Sequence, residues 1–213
     1  MPPYGIIEDF LPDEERLALL EWAIAARDSF KPAKVFKGDG RGENRVEPGS
    51  RIAWRHQGLG PFEDMMRSQL LARLNDITAA AGYDGPEPRS IELELNAYGD
   101  GAHFAAHNDI PVGPMRRPVG EGEGEDRFIT AVYYFYREPK RFSGGALSLY
   151  RFGVEPATCG EADRVLIEPV QNRLAVFPAW AVHGVDKVDC DSSDFADFRF
   201  GLNCWFCRPL QTA

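Results

Sequence analysis

His107-Asn-Asp109 is followed, 74 residues beyond the aspartate, by His183, and then by Arg199 on another apolar segment. In an extended strand, residues two apart point to the same side, roughly 6.5–7 Å from one another. His107 and Asp109 can therefore converge on one ion while Asn108 looks away. His183, at the end of a segment that contains the apolar run Leu174-Ala-Val-Phe177, would complete a set of two imidazoles and one carboxylate. That donor set binds one face of non-haem Fe(II) and leaves positions open for a co-substrate and dioxygen. His103 shares a strand face with His107, but its i+2 neighbour, Ala105, offers no oxygen, which favours His107 with Asp109.

Ligands at positions 107, 109 and 183 meet only if distant segments are held in register. At 213 residues the chain is of single-domain size, 1–213, large enough to bury a core without staples. Its pattern changes near residue 90, dividing a helical support region with a loop, 1–90, from a strand-rich core, 91–208. The first helix is expected to open at Pro12-Asp-Glu-Glu15, with acids suited to a helix start, and to bury Leu17, Leu20 and Ile24. The second is expected over about 61–81, with Phe62, Met66, Leu70, Leu74 and Ile77 at three- and four-residue steps and Gly82 as its stop. Between them, residues 31–60 are rich in glycine and charge and read as loop or short strands, the kind of segment that touches substrate at a barrel mouth. Beyond residue 90, short apolar strands at 91–98, 128–136, 146–150, 164–167, 173–177 and 198–206 alternate with turns, and a jelly roll fits best. The first of these puts Ile91, Leu93, Leu95 and Ala97 on one face and Glu92, Glu94, Asn96 and Tyr98 on the other; Tyr98 favours a cavity wall for the polar face.

Five segments in order carry a resemblance: Tyr98-Gly-Asp-Gly-Ala-His-Phe-Ala-Ala-His107-Asn-Asp109, Arg127-Phe-Ile-Thr130-Ala-Val-Tyr133-Tyr134, Ser143-Gly-Gly-Ala-Leu147, Pro178-Ala-Trp-Ala-Val-His183-Gly-Val185, and Arg199-Phe-Gly-Leu-Asn-Cys-Trp205. Over about residues 91–208 the chain resembles the 2-oxoglutarate- and Fe(II)-dependent dioxygenases of the prolyl 4-hydroxylase-like group. The resemblance implies a mainly β fold with N-terminal helices (α+β), its core a double-stranded β-helix, the cupin-like jelly roll, packed against those helices. It implies Fe(II) on His107, Asp109 and His183, and 2-oxoglutarate bound with help from Tyr98, Tyr134 and Thr130. It also turns Arg127 and Trp205 toward the prime substrate, although Arg127 read alone is equally an exposed loop residue. The implied reaction hydroxylates an unactivated C–H bond with dioxygen, releasing succinate and CO2, with ascorbate as a reductant. Its substrate would be a prolyl residue of a protein or peptide, or else a free amino acid or other small molecule.

Charge adds an argument for Arg199. A dicarboxylate that chelates iron by one end leaves its other carboxylate inside the barrel, where an unpaired charge is costly. A planar guanidinium suits that carboxylate, and Arg199 and Trp205, six residues apart, share a strand face. The alternative is a surface arginine paired with the acids of residues 191–197. The 16-residue interval from His183 to Arg199 is long for similar enzymes, and its excess, within 186–197, reads as a loop insertion. Tyr133 and Tyr134 must face opposite ways, so at least one of them is packing.

A formal net charge of −9 argues against a nucleic-acid partner. The N-terminus lacks a signal-peptide pattern, no apolar stretch is long enough to span a membrane, and four cysteines suit a reducing, cytoplasmic setting. Cys204-Trp-Phe-Cys207 should place its thiols on opposite strand faces. Residues 111–126, rich in Gly, Pro and charge, form a candidate lid or a solvated loop. Two other classes use parts of this pattern: a zinc hydrolase, which has no need of Arg199 and Trp205, and a non-catalytic barrel that senses 2-oxoglutarate or binds a partner.

Overall fold

A computed structural model describes residues 1–34, 47–110, 118–119 and 123–209. The chain begins with strand β1 (Gly5–Ile7) and helix α1 (Asp13–Ala25), whose first turn carries Asp13, Glu14 and Glu15 at the positive end of the helix dipole. Short strands β2 (Lys31–Pro32), β3 (Arg51–Ile52) and β4 (Trp54–Gln57) follow, then helices α2 (Glu63–Ala72) and α3 (Leu74–Ala80). The strand-rich part comprises β5 (Ser90–Tyr98), β6 (His103–His107), β7 (Pro118–Val119), β8 (Glu123–Phe135), β9 (Phe142–Gly144), β10 (Leu147–Tyr150), β11 (Arg164–Ile167), β12 (Arg173–Pro178), β13 (His183–Val185), β14 (Val188–Cys190) and β15 (Arg199–Pro209).

Two antiparallel sheets face each other, as expected of the jelly roll. The large one runs β1-β12-β8-β15-β5-β4-β2, with β7 paired to β8; the small one runs β11-β10-β13-β6-β3. Strand β15 is the spine of the large sheet, with Arg199 opposite Tyr98 on β5, and Trp205 between Glu92 on β5 and Thr130 on β8. Alternation along β5 splits its side chains as the pattern predicts. Ile91, Leu93, Leu95 and Ala97 join Leu19, Leu20, Met66, Leu70 and Ile77 in the core between sheet and helices. Asn96 and Tyr98 are buried on the opposite face. Between the two sheets lies a smaller cluster that includes Tyr134, Leu149, Ala175 and Phe177.

Several sequence expectations need correction. Leu17 is 48% exposed; Leu20 is buried as expected and Ile24 is partly buried against the core, while Arg16, Leu19 and Ala23 complete the buried face of α1. The run of apolar residues along this helix permits more than one stripe, and the stripe through Leu19 and Ala23 is the one that meets the sheet. The helix expected over 61–81 is two, broken at Arg73, though Gly82 ends the second at φ 62°. The stretch 186–197 is not simply an inserted loop, because β14 within it pairs with β9 as a separate ribbon. Residues 35–46 of the 31–60 segment lie outside the described residues; its described parts form β2, β3 and β4. The candidate lid also falls largely outside them, its described portions being β7 and the start of β8.

Candidate active site

The small sheet supplies His107, the last residue of β6, and His183, the first of β13, as cross-strand partners, with ring centroids 4.3 Å apart. Asp109 lies two residues past the end of β6, its backbone N–H held by the carbonyl of Ala179 at 2.9 Å. The three side chains offer ligand atoms that all lie within 4.8 Å of one another. Nε2 of His107 is 3.7 Å from Asp109 Oδ1, and Nε2 of His183 is 3.4 Å from Oδ2. Each Nδ1 faces a backbone carbonyl, Ala105 for His107 and Ala181 for His183, both at 2.9 Å. A carbonyl only accepts, so Nδ1 carries the proton and the Nε2 lone pairs turn inward, as a metal requires.

Electrostatics favour the same neutral state at His107. Burial, and then the neighbouring His183, push the His107 imidazole down to about 3, leaving it neutral at physiological pH. Burial alone would raise the Asp109 carboxyl, but His183 and His107 outweigh it and, with the nearby Trp205 indole and the Thr130 hydroxyl, hold it below its ordinary value. Thr130 Oγ1 donates to Asp109 Oδ2 at 2.7 Å. In this structure Thr130 thus orients the carboxylate from across the gap between the sheets.

Facing this cluster, the large sheet presents Arg199, only 1% exposed. Its guanidinium lies over the rings of Tyr98 and Tyr134, 4.7 and 4.8 Å from their centroids. Among the described residues it makes no ion pair, and its Nε has no hydrogen-bond partner; neither do the buried Tyr134 hydroxyl and Trp205 Nε1. The acid cluster that was its alternative partner is held by Arg137, which pairs with Asp194 and Asp197. Gly145, at φ 68°, makes room for Arg199, since a Cβ there would lie 2.9 Å from the arginine Cδ. Burial first, opposed by Arg199, pushes Tyr134 up to about 12, so its hydroxyl remains a donor. A buried cation beside two phenols suits a carboxylate, and the inward imidazoles and carboxylate suit a divalent metal. The residues present fit both groups.

Tyr133 points the other way, as alternation requires, its hydroxyl donating to Asn172 at 2.8 Å within the helix-side core. Arg127 stacks on Trp205 at 3.6 Å from the ring centroid and pairs with Glu92. The two residues expected to face substrate are therefore one unit. A second inner group carries no spacing signal in the sequence. Arg51 on β3 is 6% exposed, donates to Asn96 and Glu94, and lies over Phe104, whose ring stacks on His107 at 3.7 Å. The thiols of Cys204 and Cys207 are free and buried, on the opposite faces that their spacing predicts.

Fold and donor set together define an oxygenase-type double-stranded β-helix, and the comparisons specify which. Residues 93–207 match the 2OG-Fe(II) oxygenase superfamily. The chain belongs to that superfamily, whose oxygenases work with Fe(II), 2-oxoglutarate and dioxygen. It is 30% identical over 98% of its length to an uncharacterized PKHD-type hydroxylase of Synechocystis sp., and spans 64% of that relative's length. A crystal structure of a Pseudomonas putida prolyl-4-hydroxylase shares the fold with a TM-score of 0.61 at 20% identity, over 98% of this chain and 94% of that one. A Trichoplax adhaerens prolyl hydroxylase in complex with a hypoxia inducible factor peptide fragment has the same TM-score at 18% identity, over 97% of this chain and 84% of that one.

Proposed function

We propose that the protein is a Fe(II)- and 2-oxoglutarate-dependent hydroxylase acting on a prolyl residue of a protein or peptide. The observation that carries this reading is Arg199, a buried cation without a counter-ion among the described residues, set between two tyrosines and facing a His-Asp-His cluster on the opposite sheet. In the proposed site His107, Asp109 and His183 hold the metal and Thr130 orients Asp109. Arg199 takes the distal carboxylate of 2-oxoglutarate, with Tyr134 and Tyr98 beside it. When bound, Fe(II) supplies the oxidation of an unactivated C–H bond by dioxygen, coupled to conversion of 2-oxoglutarate into succinate and CO2. The chain itself positions these groups and keeps bulk water from the space between the sheets. The Arg127–Trp205 stack, with Arg127 tied to Glu92, supplies a flat, rigid surface for the substrate beside Thr130. Similarity to prolyl hydroxylases of known structure, one of them holding a peptide, supports a polypeptide substrate.

The deciding experiment measures succinate released with Fe(II), 2-oxoglutarate and ascorbate, alone and with panels of proline-containing peptides and free amino acids. Peptide-stimulated release with a mass gain of one oxygen on proline is the expected result. Release stimulated only by free amino acids would replace the substrate class. Tight 2-oxoglutarate binding with no release in any mixture would make the barrel a sensor, and zinc-dependent hydrolysis would overturn the reading altogether.

A further inference from the structure

Two aromatic rings stand clear of the core on turns that adjoin the strand of His183. Phe152 is 81% and Trp180 42% exposed, and their rings meet edge to face with centroids 6.0 Å apart. Each rises from a tight turn. Val154 N–H closes on the carbonyl of Arg151 at 3.2 Å, setting Phe152 at the corner and Gly153, φ 80°, behind it in the left-handed position of a type II turn. That turn is pinned at its base, where Arg151 donates its N–H to the carbonyl of Asp163 and its guanidinium pairs with the Asp163 carboxylate. Trp180 sits in the turn closed by Ala181 N–H on the carbonyl of Pro178, at 2.9 Å.

The same turns adjoin the proposed metal ligands. Ala179, next to Trp180, accepts the Asp109 N–H, and Tyr150, two residues before Phe152, donates its N–H to the carbonyl of Val182, next to His183. Packing among the described residues gives no reason for these rings to be where they are, since neither joins a core cluster there. Their chemistry does give one. Rigid aromatic surfaces presented at fixed positions bind C–H-rich groups with little ordering cost. A free amino acid seated at the metal has no second residue with which to reach them, whereas an extended chain does.

We propose that Phe152 and Trp180 form a docking platform for the polypeptide substrate, holding a prolyl ring or aliphatic side chain that flanks the hydroxylated residue. This rests on the polypeptide reading above. The test uses the full-length protein loaded with Fe(II) and 2-oxoglutarate in the absence of oxygen. Calorimetry then follows binding of a proline decapeptide, an alanine–serine decapeptide and free L-proline to wild type, Phe152→Ala, Trp180→Ala and the double variant. The proline decapeptide should bind wild type best of the three, and each single variant should lose about tenfold in affinity for it. The affinity for 2-oxoglutarate and the melting temperature should stay at wild-type values, because both side chains are exposed. Undiminished decapeptide binding in the double variant overturns the platform alone. If wild type binds free L-proline but neither decapeptide, the polypeptide reading falls first and the platform falls with it.

Discussion

The division of labour among single residues makes definite demands. Replacing His107, Asp109 or His183 with alanine should abolish metal-dependent succinate release and bound iron while leaving the far-ultraviolet circular dichroism of wild type, because each removes one of three proposed ligands. Arg199→Ala should weaken 2-oxoglutarate binding by about thirtyfold or more, the cost of stranding a buried carboxylate. An unchanged dissociation constant would move that role to another cation. Burial pushes the thiol of Cys207 up to about 12 and raises Cys204 further. A thiol with a raised pKa stays protonated, and unreactive, until the pH nears that value. In the native protein a thiol reagent should therefore label Cys159, which is partly exposed, and leave Cys204 and Cys207 untouched from pH 7 to 9; all four should react in denaturant. The three proposed ligands were legible because two of them lie within three residues and the third follows a strand pattern. The Thr130–Asp109 hydrogen bond was not, since it joins positions 21 residues apart, one on the large sheet and one just past a strand of the small sheet. Arg51 escaped for another reason: β3 is two residues long, too short for any alternation to show.

At the scale of elements, the helices and first strand must be tied to the barrel they support, and Asn172 does much of this. Held at φ 60°, which asparagine tolerates better than most residues, it accepts the Leu11 N–H and the Tyr133 hydroxyl at Oδ1. It donates from Nδ2 to the carbonyl of Leu11, while its own carbonyl accepts the Phe10 N–H. Asn172→Ala strands three buried groups and should cost about 3 kcal/mol or more of stability, read as a shifted urea midpoint. Asn172→Asp should also destabilise, because the Leu11 carbonyl loses its donor. Six strands of the core, β5, β8, β10, β11, β12 and β15, were readable from apolar runs with ends within about five residues, whereas β13, three residues long, was not. The breaks were harder: α2 and α3 share one continuous stripe, and the interruption at Arg73 is a tertiary choice made by packing. The ribbon of β14 and β9 was hidden because each strand has three residues and β14 lies in an acid-rich stretch.

On the scale of the whole molecule, none of the described helices is long and apolar enough to cross a membrane. The jelly roll itself was foreseeable from strand spacing, whereas the order in which the fifteen described strands divide between sheets depends on pairings far apart in sequence. That division has a thermodynamic consequence. The imidazoles belong to the small sheet and Arg199 to the large one, so a small dicarboxylate held at both ends would fasten one sheet to the other. Metal and 2-oxoglutarate together should raise the melting temperature by more than the sum of their separate effects, and strict additivity would show that the two do not meet. Reciprocity then fixes a further quantity: whatever factor 2-oxoglutarate adds to metal affinity, the metal must add to the affinity for 2-oxoglutarate. Arg199→Ala should diminish both factors together, although Arg199 is not among the proposed metal ligands, so a substitution on one sheet would be felt as weaker cooperation in retaining the ion on the other.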